Sequence, residues 1–131
     1  MATVPLVTDD TAGAAARAVF DDIRRVRQTE YVNNFWRALA QDPALLAATW
    51  ARLQAVMAPG ALDPLVKELI YVAVSVANGC GYCIHSHTAA AKGKGMTAEM
   101  HDELLAVIAM ASQTNALATA LQVEVDDAFK A

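Results

Sequence analysis

The chain of 131 residues predicts an all-α protein on three observations. Alanine, leucine and charged helix formers dominate, β-branched runs are scarce, and helix-starting and helix-breaking signals recur about one helix length apart. The length is that of one ordinary domain, enough to bury a core without staples. No linker, repeat or low-complexity tract divides it, so residues 1–131 are expected to form a single domain of about six to seven helices.

Asp9 or Asp10 is placed to cap a first helix reaching about residue 29. Val19, Phe20, Ile23 and Val26 make its apolar stripe, and Asp21, Asp22, Arg24 and Arg25 are expected to face water. A short helix over NFWRALA precedes Asp42-Pro43, a cap followed by proline at the first helical position, which starts a helix reaching residue 57 before the Pro59-Gly60 break. Asp63-Pro64 repeats that signal. The helix over 64–78 is apolar on nearly all sides after Glu68, the pattern of a buried central helix. Gly79 ends or bends it. A helix carrying the cysteines should then reach about residue 92, KGKG at 92–95 a loop, Thr97 a cap for a helix to about 112, and 116–129 a last helix.

Composition narrows the function. A formal charge of −4, with basic residues scattered apart from Arg24, Arg25 and Arg27, offers nothing to nucleic acid or an anionic membrane. The N-terminus MATVPLVTDD lacks the basic and apolar regions of a signal peptide, and LIYVAVSVA at 69–77 is about half of what a membrane span needs. A soluble, cytoplasmic protein is expected. Two cysteines in that reducing compartment point to a catalytic, redox-active or metal-binding pair rather than a structural disulfide.

Both cysteines lie in NGCGYCIHSHT at 78–88. On a helix Cys80, Cys83 and His87 stand at i, i+3 and i+7 and share a face, while His85 points elsewhere. Cysteines at i and i+3 in a first turn can close a small disulfide ring, and the helix N-terminus lowers thiolate pKa. His87, one turn after Cys83, is placed to take the thiol proton. Glu68 lies 11 residues before Gly79, roughly 16 Å of helix, and His87 lies 8 residues after it, roughly 12 Å. If the chain reverses near Asn78-Gly79 the two come level, and the carboxylate can orient and charge-stabilise the imidazole. The lesser alternative is that Glu68 only favours its helix N-terminus beside Lys67.

The pattern of Glu68, Cys80, Cys83 and His87, with the flanking ELIYVAVSVANGCGYCIHSHTAAA, resembles the AhpD-type alkylhydroperoxidases of the carboxymuconolactone decarboxylase superfamily over roughly residues 30 to 125. The resemblance implies an AhpD-like helical bundle, assembly as a trimer or hexamer, and hydroperoxide reduction through a dithiol/disulfide cycle with no cofactor. It also implies an external dithiol reductant, a lipoyl or thioredoxin-like protein. By that resemblance Cys83 is the peroxidatic cysteine, Cys80 the resolving one, His87 the base and Glu68 the start of a proton relay. One position departs: the best-known peroxidase members carry histidine between the cysteines, where this chain has Tyr82. Cysteine-free decarboxylases of the superfamily are set apart by the intact dithiol. A non-enzymatic oligomeric redox sensor would carry the same signature.

Other readings of the cluster fit less well. Zinc held by Cys80, Cys83, His85 and His87 would need four ligands within eight helical residues to converge on one tetrahedral ion. Haem attachment needs histidine directly after the second cysteine, where Ile84 stands. A thioredoxin-like fold needs strands around its CxxC, and plain packing is improbable for four residues in register. His101 is expected at the surface. Phe35, Trp36 and Trp50 occupy core-like positions as packing or subunit contacts, or as the lining of a substrate entrance, near which Met57, Met96, Met100 and Met110 could pack. KGKG lacks the preceding strand and the spacing of a phosphate loop.

Overall fold

A computed structural model describes residues 1–130. It contains α1 (Ala14–Arg27), α2 (Asn34–Leu39), α3 (Pro43–Met57), α4 (Pro64–Ala77), α5 (Gly81–Gly93) and α6 (Ala98–Ala120), and closes on a single 3-10 turn, Asp127–Phe129. Among the described residues there is no strand, as the all-α expectation requires. Packing divides the chain into two compact units, Met1–Ala58 and Pro59–Ala131, at the Pro59-Gly60 break.

In the first unit Ala12, Ala16, Phe20 and Ile23 bury one stripe of α1 and its lead-in against Val32, Trp36, Leu46 and Trp50. Trp36 and Trp50 meet edge to face at 5.3 Å, and the Arg27 guanidinium lies over both rings. The two tryptophans are thus core residues, whereas Phe35 stands 44% exposed against the expectation of a core position. Helix α1 departs from expectation at its start. Neither Asp9 nor Asp10 caps it; Gly13 is the N-cap, without a side-chain bond. Asp9 is drawn away by Arg24 at 2.7 Å and by Arg37, while Thr8 and Thr11 close the preceding turn on each other. The end comes early too, at Gln28 in the left-handed region (φ 53°), and Val26 is exposed. Nor does the charged face only solvate: the Trp50 indole N–H donates to Asp22 Oδ2 at 2.7 Å.

In the second unit α4 packs along α5, and α6 packs on α4. Asp42 in the first unit and Asp63 here cap as read, accepting from Ala44 and Leu45 and from Leu65 respectively. The sequence expects α4 to be buried all round, but only Glu68, Val72 and Ser75, at i, i+4 and i+7, are buried. A second stripe of Val66, Ile70 and Val74 is open, because α5 and α6 leave that side of the helix uncovered. The expected break near 113–115 is absent and α6 runs 23 residues. Thr114 turns its hydroxyl back onto the carbonyls of Met110 and Ala111, which satisfies it inside the helix, and no Gly or Pro follows Gly95 to stop the run. Of the expected last helix over 116–129, residues 116–120 belong to α6 and Asp127–Phe129 form the 3-10 turn.

Candidate active site at the α4–α5 hairpin

The reversal inferred at Asn78-Gly79 is a tight helix C-cap. Gly79 takes φ +67°, its N–H bonds to the Val76 carbonyl at 3.1 Å, and the Cys80 N–H bonds to the Ser75 carbonyl at 2.9 Å. These are the two crossed bonds of a Schellman motif, with glycine where the left-handed conformation is needed. Cys80, which completes that cap, also opens the next helix: it is the N-cap of α5, and its Sγ accepts the Cys83 N–H at 3.3 Å. One cysteine therefore locks the end of α4 to the start of α5.

Cys80 and Cys83 are joined as a disulfide with Cα atoms 5.4 Å apart, inside the ordinary range for such a bridge. Both are half-buried. One turn on, His87 carries a ring whose Nδ1 lies 2.7 Å from Glu68 Oε2. The other carboxylate oxygen, Oε1, accepts from Lys94 Nζ at 2.8 Å. Glu68 is 4% exposed, and no buried side-chain nitrogen or oxygen among the described residues lacks a partner. Burial works to raise its pKa, but the hydrogen bonds from His87 and Lys94 and their charges outweigh it and hold the carboxyl below its ordinary value. An ionised carboxylate only accepts, so His87 Nδ1 carries the hydrogen and Nε2 is the nitrogen left to exchange a proton. Tyr71 stacks on the imidazole, with ring centres 3.5 Å apart and planes 16° from parallel, and so fixes the ring's orientation.

All four residues singled out from spacing are thus on one hairpin: Glu68 touches His87, and Cys80 is bonded to Cys83. His85 is exposed, so it does not join the cysteines as a ligand would. Among the described residues no three His, Cys, Asp or Glu side chains converge tightly enough to hold a metal ion. Tyr82 lies 46% exposed between the cysteines. His101 is half-buried rather than at the open surface. No described helix is long and apolar enough to cross a membrane.

Two residues escaped the sequence reading. Lys94 follows His87 by seven residues and Tyr71 follows Glu68 by three, so each shares a helix face with a residue already chosen. That register was the available signal. KGKG hid it by resembling a loop, although Lys92 and Gly93 are the last residues of α5 and Lys94 is its C-cap.

The model of the carboxymuconolactone decarboxylase family matches residues 43–124. The alkyl hydroperoxide reductase AhpD of Solibacter usitatus is 37% identical over 91 residues, covering 70% of this chain and 50% of that one; the chain therefore spans about half the length of this relative. An uncharacterized protein of Cupriavidus necator is 38% identical over 84 residues, covering 63% of this chain and 74% of its own. Among solved structures, the alkylhydroperoxidase AhpD core from Rhodospirillum rubrum superposes with a TM-score of 0.96 at 57% identity, covering 100% of this chain and 98% of that one. With the family's model matched across well over half its length and the AhpD core's helices reproduced throughout, the chain belongs to the carboxymuconolactone decarboxylase family as an AhpD-like member.

Proposed function

We propose that this protein is a thiol-dependent peroxidase that reduces hydroperoxides through the Cys80–Cys83 dithiol/disulfide cycle, with residues 1–131 acting as one AhpD-like domain. The observation that carries the reading is the order of groups along the hairpin: a cysteine pair able to form a disulfide, then a histidine one turn on whose Nδ1 is held by a buried, ionised carboxylate. The names of its Solibacter and Rhodospirillum relatives agree with it.

In this reading His87 Nε2 accepts the Cys83 thiol proton. The thiolate attacks the terminal oxygen of ROOH and the O–O bond breaks. Cys83 becomes a sulfenic acid, and the imidazolium returns the proton to the leaving alkoxide to give ROH. The Cys80 thiol then condenses with the sulfenic acid, releasing water and forming the disulfide. An external dithiol, of lipoyl or thioredoxin type, restores both thiols by two thiol–disulfide exchanges. Cys83 takes the attacking role because His87 is four residues from it and seven from Cys80.

Assembly belongs to the same proposal. Val66, Ile70 and Val74 on α4, and every residue of α6 from 109 to 120, are exposed in the single chain. Apolar surface on that scale supports a homo-oligomer, a trimer or hexamer by the resemblance.

The test is consumption of tert-butyl hydroperoxide with dihydrolipoamide as donor. Turnover is expected. Cys83→Ser should abolish it, and Cys80→Ser should stall as a dimedone-reactive sulfenic acid. Oxidation that stops after one equivalent of peroxide, even with donor in excess, would replace the enzyme with an oxidant sensor.

A further inference from the structure

Lys94 is not a casual surface lysine. The end of α5 is a second Schellman cap: Gly95 at φ +99° bonds to the Lys92 carbonyl at 3.1 Å, and the Met96 N–H to Ala91 at 3.0 Å, with Met96 and Ala91 both buried. That cap holds the Lys94 backbone where its ammonium reaches Glu68 Oε1 at 2.8 Å. The carboxylate is thus divided, one oxygen for a permanent cation and one for a group that changes charge.

We propose that Lys94 is a positioning residue of the Glu68–His87 pair: its ammonium keeps Glu68 ionised and in place, leaving His87 able to hold or release a proton at Nε2.

A buried carboxylate without a cation is costly, and with His87 as its only partner it would stabilise the imidazolium strongly and make the proton hard to give up. Lys94 supplies the compensating charge whichever form His87 takes. Its side chain is 40% exposed, so its own desolvation is small, while the anion it serves is 5% exposed. Other ionisable groups lie on the same packed elements. On α4 they are Lys67 and Tyr71, and on α5 with its N-cap Cys80, Tyr82, Cys83, His85 and Lys92. On α6, which packs on α4, they are Glu99, His101, Asp102 and Glu103, and none of these four ion-pairs with Glu68 or His87. The consequence for catalysis rests on the peroxidase reading; the effect on His87 does not.

The experiment titrates His87 by NMR in the disulfide form, where no thiol titrates beside it, in wild type, Lys94→Gln, Lys94→Arg, Glu68→Gln and Glu68→Gln/Lys94→Gln. Lys94→Gln should move the His87 midpoint up by about one pH unit. Lys94→Arg should restore it, and in the Glu68→Gln background the Lys94 change should have little effect, since Lys94 acts through Glu68. Unfolding curves on each variant separate these shifts from lost structure, and Lys94→Met serves if the glutamine variant does not fold. Coincident His87 titrations in wild type and Lys94→Gln, or an equal shift with and without Glu68, overturn the proposal. In parallel, Lys94→Gln should slow the first oxidation by roughly tenfold, with recovery in Lys94→Arg. Absence of peroxide turnover in wild type together with the expected His87 shifts would refute the peroxidase reading alone.

Discussion

Glu68 concentrates the chemistry of the hairpin, and its pH behaviour follows from its environment. Burial raises its pKa and the His87 and Lys94 bonds lower it further than burial raises it, so the folded value lies below the ordinary one of about 4.5. As pH falls the unfolded chain takes up that proton first. The stabilisation from Glu68 is therefore complete above the unfolded value and is lost as pH drops through the folded one. Glu68→Gln should cost about 2 kcal/mol near neutrality, and the gap to wild type should close in denaturant titrations run below about pH 4.5. An unchanged gap at acid pH would mean that packing rather than charge holds the residue. The same substitution should slow Cys83 oxidation while leaving the disulfide able to form.

At the scale of elements, the joints rather than the helices carry the specificity. Gly79 has φ +67°, and a Cβ there would meet no atom within 4 Å, so Gly79→Ala is penalised by backbone conformation alone, about 1 kcal/mol. Gly81 opens α5 with an ordinary backbone and equally open space. Gly81→Ala should therefore stabilise, by about 0.5 kcal/mol, through the unfolded chain. Opposite signs in thermal unfolding of these two variants, two residues apart, test the cap assignment directly. In the other unit, Asp22 ties α1 to α3: the Trp50 N–H, then Arg25, hold its carboxyl below the ordinary value. Trp50→Phe removes that donor and should cost about 1 kcal/mol beyond the smaller ring's lost packing, which Asp22→Ala combined with Trp50→Phe can separate in a double-mutant cycle.

For the whole molecule, the balance of apolar residues is what the single chain leaves unresolved. More than half of the residues, 56%, are hydrophobic, yet the fully buried large side chains are Phe20, Ile23, Leu46, Val32 and Val72, four of them in the first unit. The second unit keeps Val66, Ile70, Val74, Val107 and Met110 in contact with solvent. Association should cover them. Light scattering at micromolar concentration is expected to return a multiple of three chains, and Ile70→Glu, which places a charge in the open α4 stripe, should lower that mass. A monomer mass for wild type would remove the assembly from the proposal.

From the residues alone came the helical class, the Asp-Pro starts of α3 and α4, the shared face of Cys80, Cys83 and His87, and the level of Glu68 against His87. Those depend on local backbone chemistry and on helix periodicity, which a sequence carries explicitly. Tertiary structure decided the rest. Asp9 abandoned its capping role because Arg24 and Arg37, distant in sequence, reach it, and Lys94 joined the site because α5 ran on far enough to set its ammonium against Glu68. Each is a competition between a local preference and a partner that folding brings near, and the strength of that partner is invisible until the chain is folded.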